Sequence, residues 1–403
     1  MERLRSPDHT MGVPALLKMA IGQTDELEGS LAAEEILEQC TAALGGEKPQ
    51  AALLLASHDL EVEEFLSVVT TAHPEMHLVG CTTLAPMSSA ADYAEGSTTL
   101  TMFASDVLDF TVGLGTDVVA DAKSAARQAV EDANRETDKQ PALLIVTPTV
   151  EQFDPTAITI EIGEVLGPTV PVIGGGAVPD IPIVMPWLGG IQFFGNQVLT
   201  NSLPVLLISG PLNVSIGVAH GWSSVGREAV VTKSDDYRVH EIDNEPILDF
   251  YNRYLGAGTE PAVANPLAIL DGTTGQYYLR APMAYDESDG SVIFFGSVPQ
   301  GATVRLTMAS TEEILVGTEA SVAEAMAGFP DDATPEAALI ASCAVRSMLL
   351  GTRTSGEIER IRAGLSADLP VSGFYAFGEI APLGVDSTPR FHNETCVTVL
   401  MGT

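Results

Sequence analysis

Residues 51–57 read Ala-Ala-Leu-Leu-Leu-Ala-Ser, an unbroken apolar run of strand length with no alternation of polar and apolar positions. A strand that hides both faces belongs inside a covered sheet, which points to an α/β fold. Ahead of it, Leu31, Ile36, Leu37, Cys40 and Leu44 recur at helical spacing between Ser30 and Leu44, and Gly45-Gly46 suits a helix C-cap. A short strand around Met19 to Gly22 and the pair Thr24-Asp25 precede that helix. Behind the run comes a helix near Glu61 to Ala72, ended by Pro74, then strands at His77-Leu-Val-Gly-Cys81 and Thr98 to Ala104.

The same order recurs twice. The second passage runs through strand Thr111 to Gly115, Thr116-Asp117, helix Ala120 to Arg135, strand Ala142-Leu-Leu-Ile-Val146, helix Ala157 to Leu166 and strand Val170 to Ile173. Gly174-Gly175-Gly176 and a strand pair through Leu203 to Ser209 close it. The third runs from strand Val304 to Ala309 through Thr311, a helix near Ser321 to Ala327, strand Ala337-Ala-Leu-Ile-Ala-Ser342 and helix Gly356 to Leu365. Pro370-Val-Ser-Gly373 and a strand from Thr395 to Leu400 finish it. A Thr-Asp or Thr-Glu-type helix start, an Ala-Leu-Leu strand and a strand ending in glycine keep their order each time. We expect three copies of a strand-helix-strand-helix-strand unit, with a period of about 90 residues that makes each a subdomain and not a solenoid repeat.

The expected fold is therefore α/β with mixed, largely parallel sheets covered by helices, in two domains. Residues 1–15 form an N-terminal extension, 16–240 hold two units, and 241–403 hold a strand-rich insert and the third unit. The insert, Val214 to Gly301, reads mainly as strands with one helix at Pro246 to Leu255, and the domain boundary falls between Asp235 and Pro246.

The chain carries 54 acidic against 19 basic side chains, a net charge of -35. Nucleic acid and anionic membrane would be repelled by such a surface, so neither is an expected partner. High solubility, or a salty cytoplasm, accounts for the acidity without a specific basic partner. Four scattered cysteines, Cys40, Cys81, Cys343 and Cys396, form no CxxC pair and no zinc-spaced cluster, which fits reduced thiols in the cytoplasm. Met1 to Thr10 lacks an apolar signal core, and Ile181 to Leu212 is interrupted by Pro186, Gly189, Gly190, Asn196, Asn201 and Pro204, so no membrane insertion is expected.

Several segments resemble one family. Leu78-Val-Gly-Cys-Thr-Thr83, Phe250-Tyr251-Asn-Arg-Tyr254-Leu255-Gly256, Ser342-Cys343-Ala-Val-Arg346, Gly373-Phe-Tyr-Ala-Phe-Gly378-Glu379-Ile-Ala-Pro382 and His392-Asn393-Glu-Thr395 look like the paired FIST N and FIST C domains, over roughly Leu16 to Leu400. The Gly-Phe-Tyr-x-x-Gly-Glu string is the most specific of them. The resemblance implies a sensory input module of bacterial signal transduction that binds a small ligand such as an amino acid. No kinase, cyclase or methyl-accepting segment accompanies the two halves, so the output is expected from a separate signalling protein.

The candidate ligand site gathers Cys343, Arg346, Glu357, Tyr375, Gly378, Glu379 and Asn393 from the third unit, with Cys81, Thr82 and Thr83 from the first. Ser342-Cys343 follows a strand's C-terminal end, where open α/β sheets form crevices. An Arg could clamp a ligand carboxylate with two hydrogen bonds while a Glu takes its ammonium group, which an α-amino acid requires. The plainer alternative is a structural ion pair between Arg346 and Glu379 or Glu357, a packed Tyr375 ring, and glycines at Gly373 and Gly378 serving tight turns. A Cys343 nucleophile with His392 or Glu379 as base would make the protein an enzyme, against a small buried thiol as the simpler alternative. A scaffold engaging another protein through the acidic surface is a further alternative. No cofactor or metal is expected. Gly174-Gly175-Gly176 lacks dinucleotide spacing, Gly351 to Glu357 lacks the Lys-Ser/Thr of a phosphate loop, and Pro74 breaks the helix that His73 and His77 would need to share a metal.

Overall fold

The structure is a computed structural model that describes residues 16–150, 155–179, 189–270, 276–384 and 388–403. The expected N-terminal extension and the 180–188 part of the apolar region lie outside the described residues. In chain order, the first stretch holds β1 (Leu17–Thr24), α1 (Gly29–Leu44), β2 (Ala51–Ala56), α2 (Val62–Ala72), β3 (His77–Thr82), the hairpin β4 (Pro86–Ser88) and β5 (Asp92–Tyr93), and β6 (Thr98–Ser105). The second holds β7 (Asp109–Thr116), α3 (Ala122–Arg135), β8 (Pro141–Val146), α4 (Thr156–Leu166), β9 (Val172–Gly175), the hairpin β10 (Gln192–Phe194) and β11 (Gln197–Leu199), and β12 (Ser202–Ser209).

Next come β13 (Asn213–Ala219), β14 (Ser223–Asp235), β15 (Arg238–Ile242), β16 (Glu245–Pro246), α5 (Ile247–Leu255), β17 (Leu267–Leu270), β18 (Tyr277–Arg280), β19 (Pro282–Asp286), β20 (Ser291–Phe294) and β21 (Thr303–Met308). The last stretch holds α6 (Thr311–Gly328), β22 (Ala337–Cys343), α7 (Ala344–Leu350), α8 (Ser355–Gly364), β23 (Val371–Ala376), the hairpin β24 (Glu379–Pro382) and β25 (Pro389–His392), and β26 (Cys396–Gly402).

Three six-stranded sheets have the orders β1-β6-β2-β3-β10-β11, β7-β12-β8-β9-β24-β25 and β13-β26-β22-β23-β4-β5. In each, the outer hairpin comes from another part of the chain: β10 pairs with β3, β24 with β9, and β4 with β23. The sheets are mixed and mostly antiparallel, not largely parallel as expected. Among the described strands the parallel pairs are β2 with β3, β8 with β9 and β22 with β23. The reason is that β6, β12 and β26 return between the first and second strand of each sheet. Each separates two strands whose connecting helix suggested they were neighbours.

The inner faces of the three sheets share one apolar core, with Leu53 and Phe103 from the first, Ile145 and Leu206 from the second, and Leu339 and Val399 from the third. Helices cover the outer faces: α1 and α2 through Ile36 and Phe65, α3 and α4 through Val130 and Ile158, α6 and α8 through Val322 and Ile361. Burial on both faces is what made β2 and β22 read as continuous apolar runs.

The strand expected to open the third unit forms as β21, but it pairs with β14 and β17 in a separate eight-stranded sheet. Its expected place beside β26 is taken by β13, from Asn213 opposite Gly402 to Ala219 opposite Cys396. The insert from β14 to β21 interrupts the chain between β13 and its covering helix α6, so the strand nearest to that helix in sequence is the wrong one. Phe250 and Tyr251 of α5 pack on the insert's sheet. Among the described residues, no helix is long and apolar enough to cross a membrane.

Candidate functional site

All seven residues of β22 are buried, and at its end the chain turns into α7, whose Arg346 points inward and is fully buried. Its Nε and Nη2 donate to Glu357 Oε1 at 2.9 and 2.6 Å, and Nη2 also to Thr318 Oγ1 at 2.7 Å and the Ile314 carbonyl at 3.0 Å. Nη1 donates to the carbonyls of His220 and Glu394. Ser342 Oγ donates to Glu357 Oε2 at 3.1 Å, and Tyr375 Oη donates to the same oxygen. Burial opposes the Glu357 charge, yet Arg346 and the hydrogen bonds from Tyr375 and Thr318 hold its pKa below the ordinary carboxylate range.

Every N–H of the guanidinium thus has a protein acceptor, which leaves no donor to clamp a ligand carboxylate as the sequence suggested. Arg346, Glu357 and Tyr375 do come together, as a buried ion pair with its hydrogen bonds satisfied. Removing one partner of such a pair is far costlier than replacing both. Arg346 acts as a strut, joining the end of β13 at His220, helix α6 at Ile314 and the turn before β26 at Glu394.

Around that strut lie the other residues of the cluster. Glu379, on β24, accepts from Thr395 N at 3.0 Å and Thr395 Oγ1 at 2.6 Å through Oε2, while its Oε1 has no partner among the described residues. Glu394 is fully buried at a φ of 62°, and neither carboxylate oxygen has a partner among the described residues. Burial lifts the Glu379 carboxyl to about 8. Glu394 is raised well above its ordinary value by burial and then by Glu379. Cys343, Gly378, Asn393 and Glu394 line a cavity of about 20 Å³ with Phe295 and Phe377. Gly378, at φ 89°, is required sterically as well: a Cβ there would stand 2.1 Å from the Phe391 ring.

The same surroundings bear on the nucleophile alternative. Burial, then Glu379 and Glu394, raise the Cys343 thiol well above its usual value, so thiolate is scarce at neutral pH. His392 does not serve it: Nε2 donates to the Ala381 carbonyl at 3.0 Å, and burial pushes the ring down to about 3.

A larger cleft of about 630 Å³ opens on the other side of the 392–395 turn, lined by His220, Tyr277, Glu313, Val316, His392 and Thr395 among others. It separates α6 from β18 of the insert. His220 Nδ1 accepts from Trp222 N at 2.8 Å, and burial followed by Arg346 lowers its pKa to about 4. Both imidazoles are neutral at pH 7, and His392 Nδ1 has no partner among the described residues.

The sequence reading missed His220, Tyr277 and Glu394 and gave His392 a different role. A sequence signal existed for the first: His220-Gly221-Trp222 directly follows a strand, and Gly221 permits close approach, since a Cβ there would sit 2.2 Å from the Glu313 carbonyl oxygen.

Cys81, Thr82 and Thr83 do not join either cavity. Cys81 sits in the central core with its thiol raised by burial. Thr82 Oγ1 donates to the Val178 carbonyl at 2.8 Å and accepts from Ile191 N at 3.0 Å, and Thr83 Oγ1 donates to the Tyr375 carbonyl at 2.8 Å. These hydroxyls stitch the three sheets together. Among the described residues, the carboxylates within metal-sharing reach of one another are Glu28, Glu61 and Glu64, an acidic group near the starts of α1 and α2, away from these cavities.

No curated protein matches the sequence significantly. Among solved structures, the chain is similar to cyanuric acid hydrolase from A. caulinodans, at 9% identity and a TM-score of 0.36, covering 96% of this chain and 99% of that one. It is also similar to PurLQS from Thermotoga maritima, at 10% identity and a TM-score of 0.24, covering 96% of this chain and 72% of that one. Sequence models of two domains match in succession, the FIST N domain over residues 50–245 and the FIST C domain over residues 248–382. Since the first match takes in β2 to β16 and the second carries α5 through the strut of Arg346 and Glu357 to β24, the chain belongs to the FIST family.

Proposed function

We propose that this FIST protein is a small-ligand-binding sensory module whose ligand occupies the cleft between α6 and the strand-rich insert. The observation that carries this is the cleft itself: about 630 Å³, a size suited to a small metabolite, with polar groups converging on it. Its ligand is an amino acid or a similar small metabolite. Hydrogen bonds to the neutral His220 and His392 and to Thr395 would orient it, because Arg346 beneath them has no donor left for a charge clamp.

FIST domains are sensory domains, which supports a role in signal transduction, with output through a separate signalling protein. The four buried, unpaired cysteines support a reducing, cytoplasmic setting. The common strand order of the three six-stranded sheets supports the further reading that they descend from one unit used three times.

The test is a thermal-shift screen of the native protein against amino acids and small metabolites. A true ligand at 100 times its Kd should stabilise by about 2.7 kcal/mol. Val316, 49% exposed on the cleft-lining face of α6, is the place to block it. Val316→Trp should fold normally and lose the ligand-dependent shift. Stabilisation by none of the compounds, or an unchanged shift in Val316→Trp, would sink the proposal.

A further inference from the structure

The smaller cavity is independent of the cleft, and its chemistry is different. Among its lining residues is Glu394, a fully buried side chain whose two oxygens have no partner among the described residues. The backbone there is held at a φ of 62°, a conformation that a non-glycine residue adopts at a cost and that tends to persist at functional positions. Asn393 is tied to its neighbours: its Oδ1 accepts from Ala281 N at 3.1 Å and its Nδ2 donates one N–H to the His392 carbonyl at 3.0 Å. At about 20 Å³ the space fits one group the size of a water molecule. Phe295 and Phe377, both half-buried, line it with ring centroids 5.1 Å apart and edge to face. An unpartnered carboxylate and two aromatic rings around one small space are what a small cation selects.

We propose that this cavity is an ammonium-binding site, in which the Glu394 carboxylate receives an NH3⁺ group or a free ammonium ion flanked by Phe295 and Phe377. The groups facing Glu394 set the electrostatics. Glu379 on β24 is a second buried carboxyl beside it, itself lifted to about 8, and Cys343 at the end of β22 contributes a neutral thiol. Arg346 on α7 is the opposing cation, largely neutralised by Glu357. Burial and then Glu379 raise the Glu394 carboxyl, so a bound cation favours its ionised form: as the ammonium enters, proton is released to solvent. Affinity therefore rises with pH until the amine itself deprotonates.

Calorimetric titration of the full chain at pH 8 and constant ionic strength tests this, using ammonium, methylammonium, sodium and tetramethylammonium chlorides. Saturable binding of ammonium or methylammonium is expected, with net proton release, read from buffers of different ionisation enthalpy. Sodium and tetramethylammonium should give no saturable signal. Binding of methylammonium as tightly as ammonium identifies the amine head of a larger molecule as the natural occupant, and ammonium alone identifies the free ion. Glu394→Gln, a neutral isostere, should bind at least tenfold more weakly with its melting temperature retained, and Phe295→Leu should weaken binding several-fold. Equal responses to all four salts, no proton release, or parental affinity in Glu394→Gln would overturn the assignment. A failure here leaves the cleft untouched, because Val316 and His220 lie outside this cavity.

Discussion

At the scale of the residue, the decisive contacts are those of Arg346. Its pairing with Glu357 is buried on both sides, so Arg346→Met should destabilise the protein by about 3–5 kcal/mol in denaturant titration by leaving Glu357 unpaired. Adding Glu357→Leu should recover much of that loss, whereas a surface pair would show little effect in either variant. Glu379 gives a second expectation. Its folded pKa of about 8 lies above the ordinary value, so the folded state holds the proton more tightly than the unfolded one. Its contribution to stability is complete below the ordinary carboxylate range and falls as pH rises toward 8, by up to about 1.4 kcal/mol per pH unit. Thermal denaturation of the parent and Glu379→Gln between pH 5 and 8 should differ in slope, the variant being flatter; parallel curves would contradict the assignment. The sequence brought Arg346, Glu357 and Tyr375 into one cluster but not their orientation. Which way Arg346 faces depends on α8 supplying Glu357 and on a carbonyl 126 residues away, and no local pattern carries that. The burial and left-handed backbone of Glu394 were equally invisible.

At the scale of the element, apolar runs and glycines were the legible features. β2, β8 and β22 lie where the runs fall, and α1 ends at Gly45 in the left-handed conformation expected of its cap. The helix expected near Ser321 to Ala327 is instead the 18-residue α6, which starts at a capping box between Ser310 and Glu313. The Ser-Thr-Glu-Glu signature was present, but small and polar residues on the inner face of α6, such as Gly317, Thr318 and Ser321, hid its period. Those small residues allow β13 to press directly on the helix. A Cβ at Gly217 would fall 1.9 Å from the Ser321 carbonyl oxygen, so Gly217→Ala must push strand and helix apart. We expect it to cost about 1–3 kcal/mol by denaturant titration, against a change within about 1 kcal/mol for Gly356→Ala in α8, whose Cβ would come no closer than 3.5 Å to Leu315. The returning strands β6, β12 and β26 were the illegible part: a strand's pairing partners follow from the whole sheet and not from its own residues.

At the scale of the whole molecule, the chain folds as three sheets around one core, with each outer hairpin paired to a sheet formed mainly by another stretch of chain. That exchange ties the sheets together and places the turn at 392–395 between the cleft and the small cavity. The insert supplies the far wall of the cleft, so the proposed site lies where insert and third sheet meet. Its parts, from His220 to Thr395, are dispersed along the sequence, which is why the sequence points to the C-terminal cluster and not to His220 or Tyr277. Amide hydrogen exchange with and without a stabilising metabolite shows where the ligand sits. Added protection is expected at 218–221, 312–320 and 392–395, with the outer faces of the first two sheets unchanged. Protection confined to α1–α4, or none at these three segments despite stabilisation, would contradict the cleft as its site.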